Sequence, residues 1–213
     1  MTRSNYETKM LLGWTVKINR QLQEKDAPAL EWALVLLHSQ LKTICRLVPP
    51  KQLAELKKVT LWLSPEYPHT PPTAEYHPGA DWLRENGRNP EMAKGVEFTD
   101  TPAFDAEMRR MPLFVLHELA HAYHDRVLGG DEPRILAAYQ HAKASGKYDK
   151  VERQDSEGRK RLDRAYALTN AQEYFAEGTE AFFGANDFFP FNKAQLKVHD
   201  PELYALLEKL WGI

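Results

Sequence analysis

The sequence predicts an α+β fold, with a small sheet in its first half and a mainly helical second half. Three observations lead there. Short β-rich apolar runs cluster in the first hundred residues, helix-periodic segments fill the chain from about Pro112 onward, and 213 residues suit one domain (1–213) around one continuous core.

Taken in order, "GWTVKIN" (Gly13 to Asn19) alternates like an early strand, and "APALEWALVLLHSQLKTICRLV" (Ala27 to Val48) has the length and spacing of a long, largely buried helix that Pro49 and Pro50 end. Cys45 reads as a small core residue within it. After a short amphipathic piece, "VTLWL" (Val59 to Leu63) is apolar enough for an inner strand, and the proline-rich turn "SPEYPHTPPT" follows. "AEYHP" and "GVEFT" (Gly95 to Thr99) are short candidate strands on either side of the helical "ADWLRENG". "GVEFT" is further expected to be an edge strand that pairs with a substrate backbone.

The second half opens with the helical "LFVLHELAHAYHD", then "EPRILAAYQHAKASG" closed by glycine, then a charged hairpin or loop with turn chemistry at Ser156, Glu157 and Gly158. "TNAQEYFAEGTEAFFG" and "DPELYALLEKLWG" complete the helices. Thr169 or Asn170 caps the first, Asp200 caps the second, and Pro201 occupies a first helical position.

Lys plus Arg number 28 against 30 Asp plus Glu, a net charge of -2, so no basic excess points to nucleic acid or an acidic membrane surface. One cysteine allows neither an internal disulfide nor a thiolate-rich zinc site, so any metal must use histidine and carboxylate. "MTRSNYETKM" lacks a signal-peptide pattern, and no apolar run approaches the roughly 18 residues that span a bilayer. A cytoplasmic location is the default expectation, with secretion if an export signal has been trimmed away.

His117, Glu118 and His121 spell HExxH. At about 100° per residue, His121 lies only ~40° around the helix from His117 and one turn along, so both imidazoles can reach one ion while Glu118 points aside as a general base. The plain alternative is a set of core histidines satisfied by protein partners. Leu113, Phe114, Val115, Leu116, Leu119 and Ala120 around the motif argue against it, because unpaired charge on a buried helix is costly and a metal removes that cost.

The third ligand separates the classes. HExxHxxGxxH would need Gly at 124 and His at 127, where this chain has His124 and Val127. "GTEAFFG" (Gly178 to Gly184) carries Ala181 where an aspartate ligand would stand. There remains the helix "NAQEYFAEGTEAFF", on which Glu173 and Glu177 are four apart and share a face opposite Phe175 and Phe182. One carboxylate can bind zinc while the other accepts a hydrogen bond from a ligand imidazole.

"HELAHAYHD" followed by "YALTNAQEYFAE" resembles the gluzincin-type lethal factor family of zinc peptidases, which includes the Mlc titration factor peptidases, with HExxH and then YxxxNxxE[FY]FAE. The likeness spans about Pro112 to Gly184. It implies a zincin-like metallopeptidase fold and one Zn²⁺ per chain held by His117, His121 and Glu173. Glu118 would be the base, and Tyr166 would stabilise the oxyanion. It also implies that Glu177 supports a ligand imidazole and that Asn170 starts the helix or braces the site.

Asp125, four after His121, is placed either to accept from the outer nitrogen of that imidazole or to be solvated, and His124 falls at the rim or behind the ligands. The aromatic "NDFFPFN" walls a substrate pocket or pins a loop, and the basic "GRKRLDR" reads as a solvated hairpin. The expected activity is zinc-dependent hydrolysis of peptide bonds, with a peptide or protein as substrate. The rival is a zincin-fold binding module with a structural or vestigial zinc, and an open fourth coordination position separates the two.

Overall fold

The structure, a computed structural model, describes residues 5–69, 73–99, 101–102 and 104–213. It is α+β, with a small mixed sheet followed by a helical C-terminal half. Residues 70–72 of the proline-rich turn lie outside the described residues.

Strands β1 (Tyr6–Leu11) and β2 (Trp14–Asn19) form an antiparallel hairpin. In β2 Trp14, Val16 and Ile18 face inward, the period-two pattern of a strand with one covered face. β3 (Leu61–Leu63) runs parallel to β2, β5 (Val96–Phe98) runs parallel to β3, and β4 (Ala74–Tyr76) closes the sheet antiparallel to β5. Every residue of β3 and β5 is buried, as parallel strands covered on both faces require. "GVEFT" is therefore an interior strand, and the expectation of an edge is corrected: β5 has a neighbour on each side, and the outer strand is β4.

Helix α1 (Arg20–Leu47) begins earlier than its periodicity announces, with the Asn19 side chain accepting from the Gln21 amide. It kinks at Asp26, ahead of Pro28, where the Asp26 carboxylate caps the Ala29 amide at 3.0 Å and starts the helix afresh. Pro50 then opens α2 (Pro50–Leu56) at a first-turn position, where its missing N–H is harmless. Short helices α3 (Ala80–Glu85) and α4 (Phe104–Arg110) precede α5 (Phe114–Tyr123), which carries the HExxH residues. Beyond Tyr123 the chain widens into a π-helical turn over His124–Gly129.

α6 (Pro133–Ser145) ends at Gly146 in the left-handed conformation, and the hairpin of β6 (Val151–Gln154) and β7 (Lys160–Asp163) follows. Then come α7 (Ala171–Phe183), α8 (Lys193–His199) and α9 (Pro201–Trp211), with Asn170 capping α7 and Asp200 capping α9. One hydrophobic core runs from Trp14 in the sheet to Trp211 in the last helix. α5 lies within it, packed beside α7 and against α1, and its Leu116, Leu119 and Ala120 have no exposure. No helix among the described residues is long and apolar enough to cross a membrane.

Candidate metal centre

The pairing of α5 with α7 brings both imidazoles and an acidic helix face together. His117 Nε2 and His121 Nε2 are 3.1 Å apart, Glu173 Oε2 is 3.1 Å from the first, and it lies 3.4 Å from the second. Three donor atoms thus form a near-equilateral triangle. Tetrahedral zinc with bonds of about 2.0–2.1 Å sets its ligands about 3.3 Å apart, so the triangle has the size such an ion needs.

Hydrogen-bond arithmetic gives the same fit. His117 Nδ1 donates to Glu180 Oε1 at 2.7 Å, which leaves a neutral His117 with only a lone pair on Nε2. That lone pair faces a carboxylate oxygen and a second imidazole nitrogen, an arrangement that is repulsive unless positive charge sits among the three. Burial pushes the His117 imidazole down, but its hydrogen bonds to Glu173 and Glu180 and the nearby carboxylates hold it well above the ordinary histidine range. Burial likewise pushes Glu173 up, yet the two imidazoles pull it down to about 2. Positive charge is thus favoured among the three donors, as a proton on the imidazole or as a metal ion, and the donor set fits zinc.

Each expected residue has a definite place. Glu118, on the flank of α5, accepts the Tyr76 backbone N–H of β4 at 2.8 Å, and burial raises its carboxyl above the usual range. Asn170 braces the helix start, its side chain accepting the Glu173 amide at 2.8 Å, so the residue that caps α7 also fixes the proposed third ligand. Tyr166 sits in a short 3-10 turn (Tyr166–Leu168) just before that cap and lines the same cleft. Among the described residues nothing hydrogen-bonds its hydroxyl, and burial followed by the Glu173 charge raises its pKa, keeping it a protonated donor.

Two expectations are corrected. The partner of His117 is Glu180; Glu177 stands 4.0 Å from the same nitrogen and instead accepts from Asn186 at 3.0 Å. Glu180 lies seven residues after Glu173, two turns along the same face, a spacing visible in the sequence. Burial pushes both carboxyls up, Glu177 to about 8 with the charge of Glu180 adding to it. Of the two, Glu180 is the one that meets the imidazole nitrogen, at 2.7 Å. Asp125 makes no hydrogen bond to His121; it accepts from the Tyr76 hydroxyl at 2.5 Å and from Lys94 at 2.6 Å. A pairing between sheet and helix decides its partner, and helical spacing alone cannot reveal that.

His117, Glu118, His121, Tyr166, Glu173 and Glu177 line a cleft of about 960 Å³ between β4 and the α5–α7 pair. Phe188, from the aromatic segment after α7, forms part of its wall beside Arg110 and Arg153, both ion-paired with the buried Asp187 at 3.4 and 3.2 Å. The basic hairpin is neutralised by its own acids, as in the pairs Arg159 with Asp155 and Lys160 with Glu152. Compared with protein-family models, with curated proteins and with solved structures, the chain matches none, and its chemistry is read from this geometry.

Proposed function

We propose that the protein is a zinc-dependent metallopeptidase of zincin-like fold with a glutamate third ligand, similar to the lethal factor family. The observation that carries the proposal is the convergence of His117 Nε2, His121 Nε2 and Glu173 Oε2 in the wall of an open cleft, with Glu118 beside them. His117, His121 and Glu173 would hold the ion. Bound zinc supplies Lewis acidity, polarising a carbonyl oxygen and making water acidic near neutral pH.

The chain's own groups do the rest. Glu118, its basicity increased by burial, takes a proton from the attacking water and delivers it to the leaving amine nitrogen as the C–N bond breaks. The Tyr166 hydroxyl donates a hydrogen bond to the oxygen that gains charge. Glu180 keeps His117 in the tautomer that turns its Nε2 lone pair toward the ion site. The outward edge of β4 offers an extended peptide a strand to pair with, and the cleft is large enough for several residues.

The test is elemental analysis of the purified protein beside His117→Ala. About one zinc per chain, lost in the variant, is the expected result and leads to a peptide-library screen; no metal after zinc is supplied would overturn the reading.

A further inference from the structure

His124 is only 2% exposed, yet its Nδ1 is buried with no hydrogen-bond partner among the described residues. Other buried histidines are bonded: His77 to Glu97 at 2.9 Å, His117 to Glu180 at 2.7 Å. His199 also leaves Nε2 without a partner, but it is packed against Tyr148 and Phe189 away from the cleft. His124 lines the cleft, in the first residue of the π-helical turn that continues α5. Such turns recur at functional sites, and a buried polar group without a protein partner in a ligand cleft calls for an external one.

The ring itself indicates which kind. Nδ1 is shut away from solvent and Phe175 covers a neighbouring side, with centroids 5.3 Å apart, so Nε2 is the nitrogen left to serve the cleft that the residue lines. A neutral imidazole has one N–H and one lone pair. A buried N–H without an acceptor is worse tolerated than a buried lone pair without a donor, so the proton belongs on Nε2. Burial also lowers the His124 pKa, which keeps the ring neutral. The cleft therefore receives one N–H donor, suited to a neutral acceptor such as a peptide carbonyl. His124 is three residues past His121, roughly 4.5 Å along a regular helix, or between one and two residues of extended peptide.

We propose that His124 is a substrate-binding residue whose Nε2–H holds a backbone carbonyl of an extended peptide, on the Gly130 side of the scissile bond. This rests on the metallopeptidase reading and names the contact that orients its substrate. An anion subsite at Arg110 and Arg153 is the weaker alternative, because both guanidinium groups already face Asp187.

The experiment uses the zinc-loaded full chain in a Glu118→Gln background and measures binding of a random library of acetylated, amidated hexapeptides, with zinc content and thermal midpoint read in parallel. His124→Phe, which keeps a ring against Phe175, is expected to weaken binding roughly 5- to 10-fold at unchanged zinc content and midpoint. His124→Gln, whose amide can reach the Nε2 position, is expected to restore most of it. Equal binding by His124→Phe overturns the role of His124 and leaves the peptidase reading in place. Loss of zinc or of thermal stability together with binding makes the residue structural and also overturns it. Absence of peptide binding in the zinc-loaded parent overturns both proposals together.

Discussion

Replacing Glu180 with alanine should cost the proposed metal centre most of its zinc affinity, although Glu180 is not one of the three proposed ligands. Its Oε1 takes the His117 N–H at 2.7 Å, its other oxygen has no hydrogen-bond partner, and the residue has no exposure, so its hydrogen bonding is spent on that one imidazole. Removing such an acceptor behind a ligand histidine costs ~10–100-fold in metal affinity, about 1.4–2.7 kcal/mol. No solvent can fill in at a buried site, so the upper end is expected. Glu180→Gln keeps an acceptor oxygen and the volume while losing the charge, and should fall between wild type and alanine. Glu177→Ala is the control: with 4.0 Å to the imidazole and Asn186 as its partner, it should lose only a few-fold. Zinc dissociation constants from competition with a chelating dye, on variants whose circular dichroism matches the wild type, settle the comparison. Wild-type affinity in Glu180→Ala, or an equal loss in Glu177→Ala, would refute the reasoning.

Glu118→Gln should retain its zinc and lose ~10²–10⁴-fold in peptide hydrolysis, and an active glutamine variant would end the assignment of the base. Tyr166→Phe should lower kcat by ~10² with zinc content and KM unchanged; an unaffected kcat would reduce the phenol to packing. Burial pushes the Glu97 carboxyl up, but hydrogen bonds from His77, Ser64 and Tyr67 outweigh it and leave it below the ordinary range. Its stabilising contribution is then present above the unfolded value of about 4.3 and lost as pH falls through the lower folded value. The urea midpoint of the wild type should drop as pH falls below the unfolded value of about 4.3 and drop less in Glu97→Gln, whereas equal drops would place the acid sensitivity elsewhere.

What could be read from the sequence was what is local in the chain. The caps at Asn170 and Asp200, the glycine stop at Gly146 and the hairpin turn around Gly158 each follow from one residue's conformational preference, and each is where it was expected. The shared face of His117 and His121 was legible because helical spacing sets which side chains lie together; spacing left Glu173 and Glu177 as equal candidates for a third ligand, and the family resemblance singled out Glu173. What depends on pairing between distant segments was not. The swap between β4 and β5 as outer strand follows from sheet order, and the partnership of Asp125 with Tyr76 and Lys94 follows from where that sheet meets α5. Glu180 was within reach, since it repeats the Glu173 face two turns later, but the tie between His117 and Glu180 depends on how closely the two helices approach. α8 and the first turns of α1 were missed for lack of a strong apolar period, and packing on the core supplies what propensity does not.

One face of α7 presents Glu173, Glu177 and Glu180, while Gly178 of the same helix meets α9 so closely that an added methyl would come within 2.6 Å of a Leu203 methyl carbon. Hydrophobic fit and ligand geometry are thereby mounted on a single rigid rod. Bulk added at residue 178 to fill or stiffen the C-terminal helices would displace the Leu203 side chain first, and whatever displacement that buried side chain passes on to α7 would move the three carboxylates relative to α5. The packing of α7 on α9 and the placement of the proposed metal ligands thus share one mechanical coordinate, and a change selected for either will act on the other.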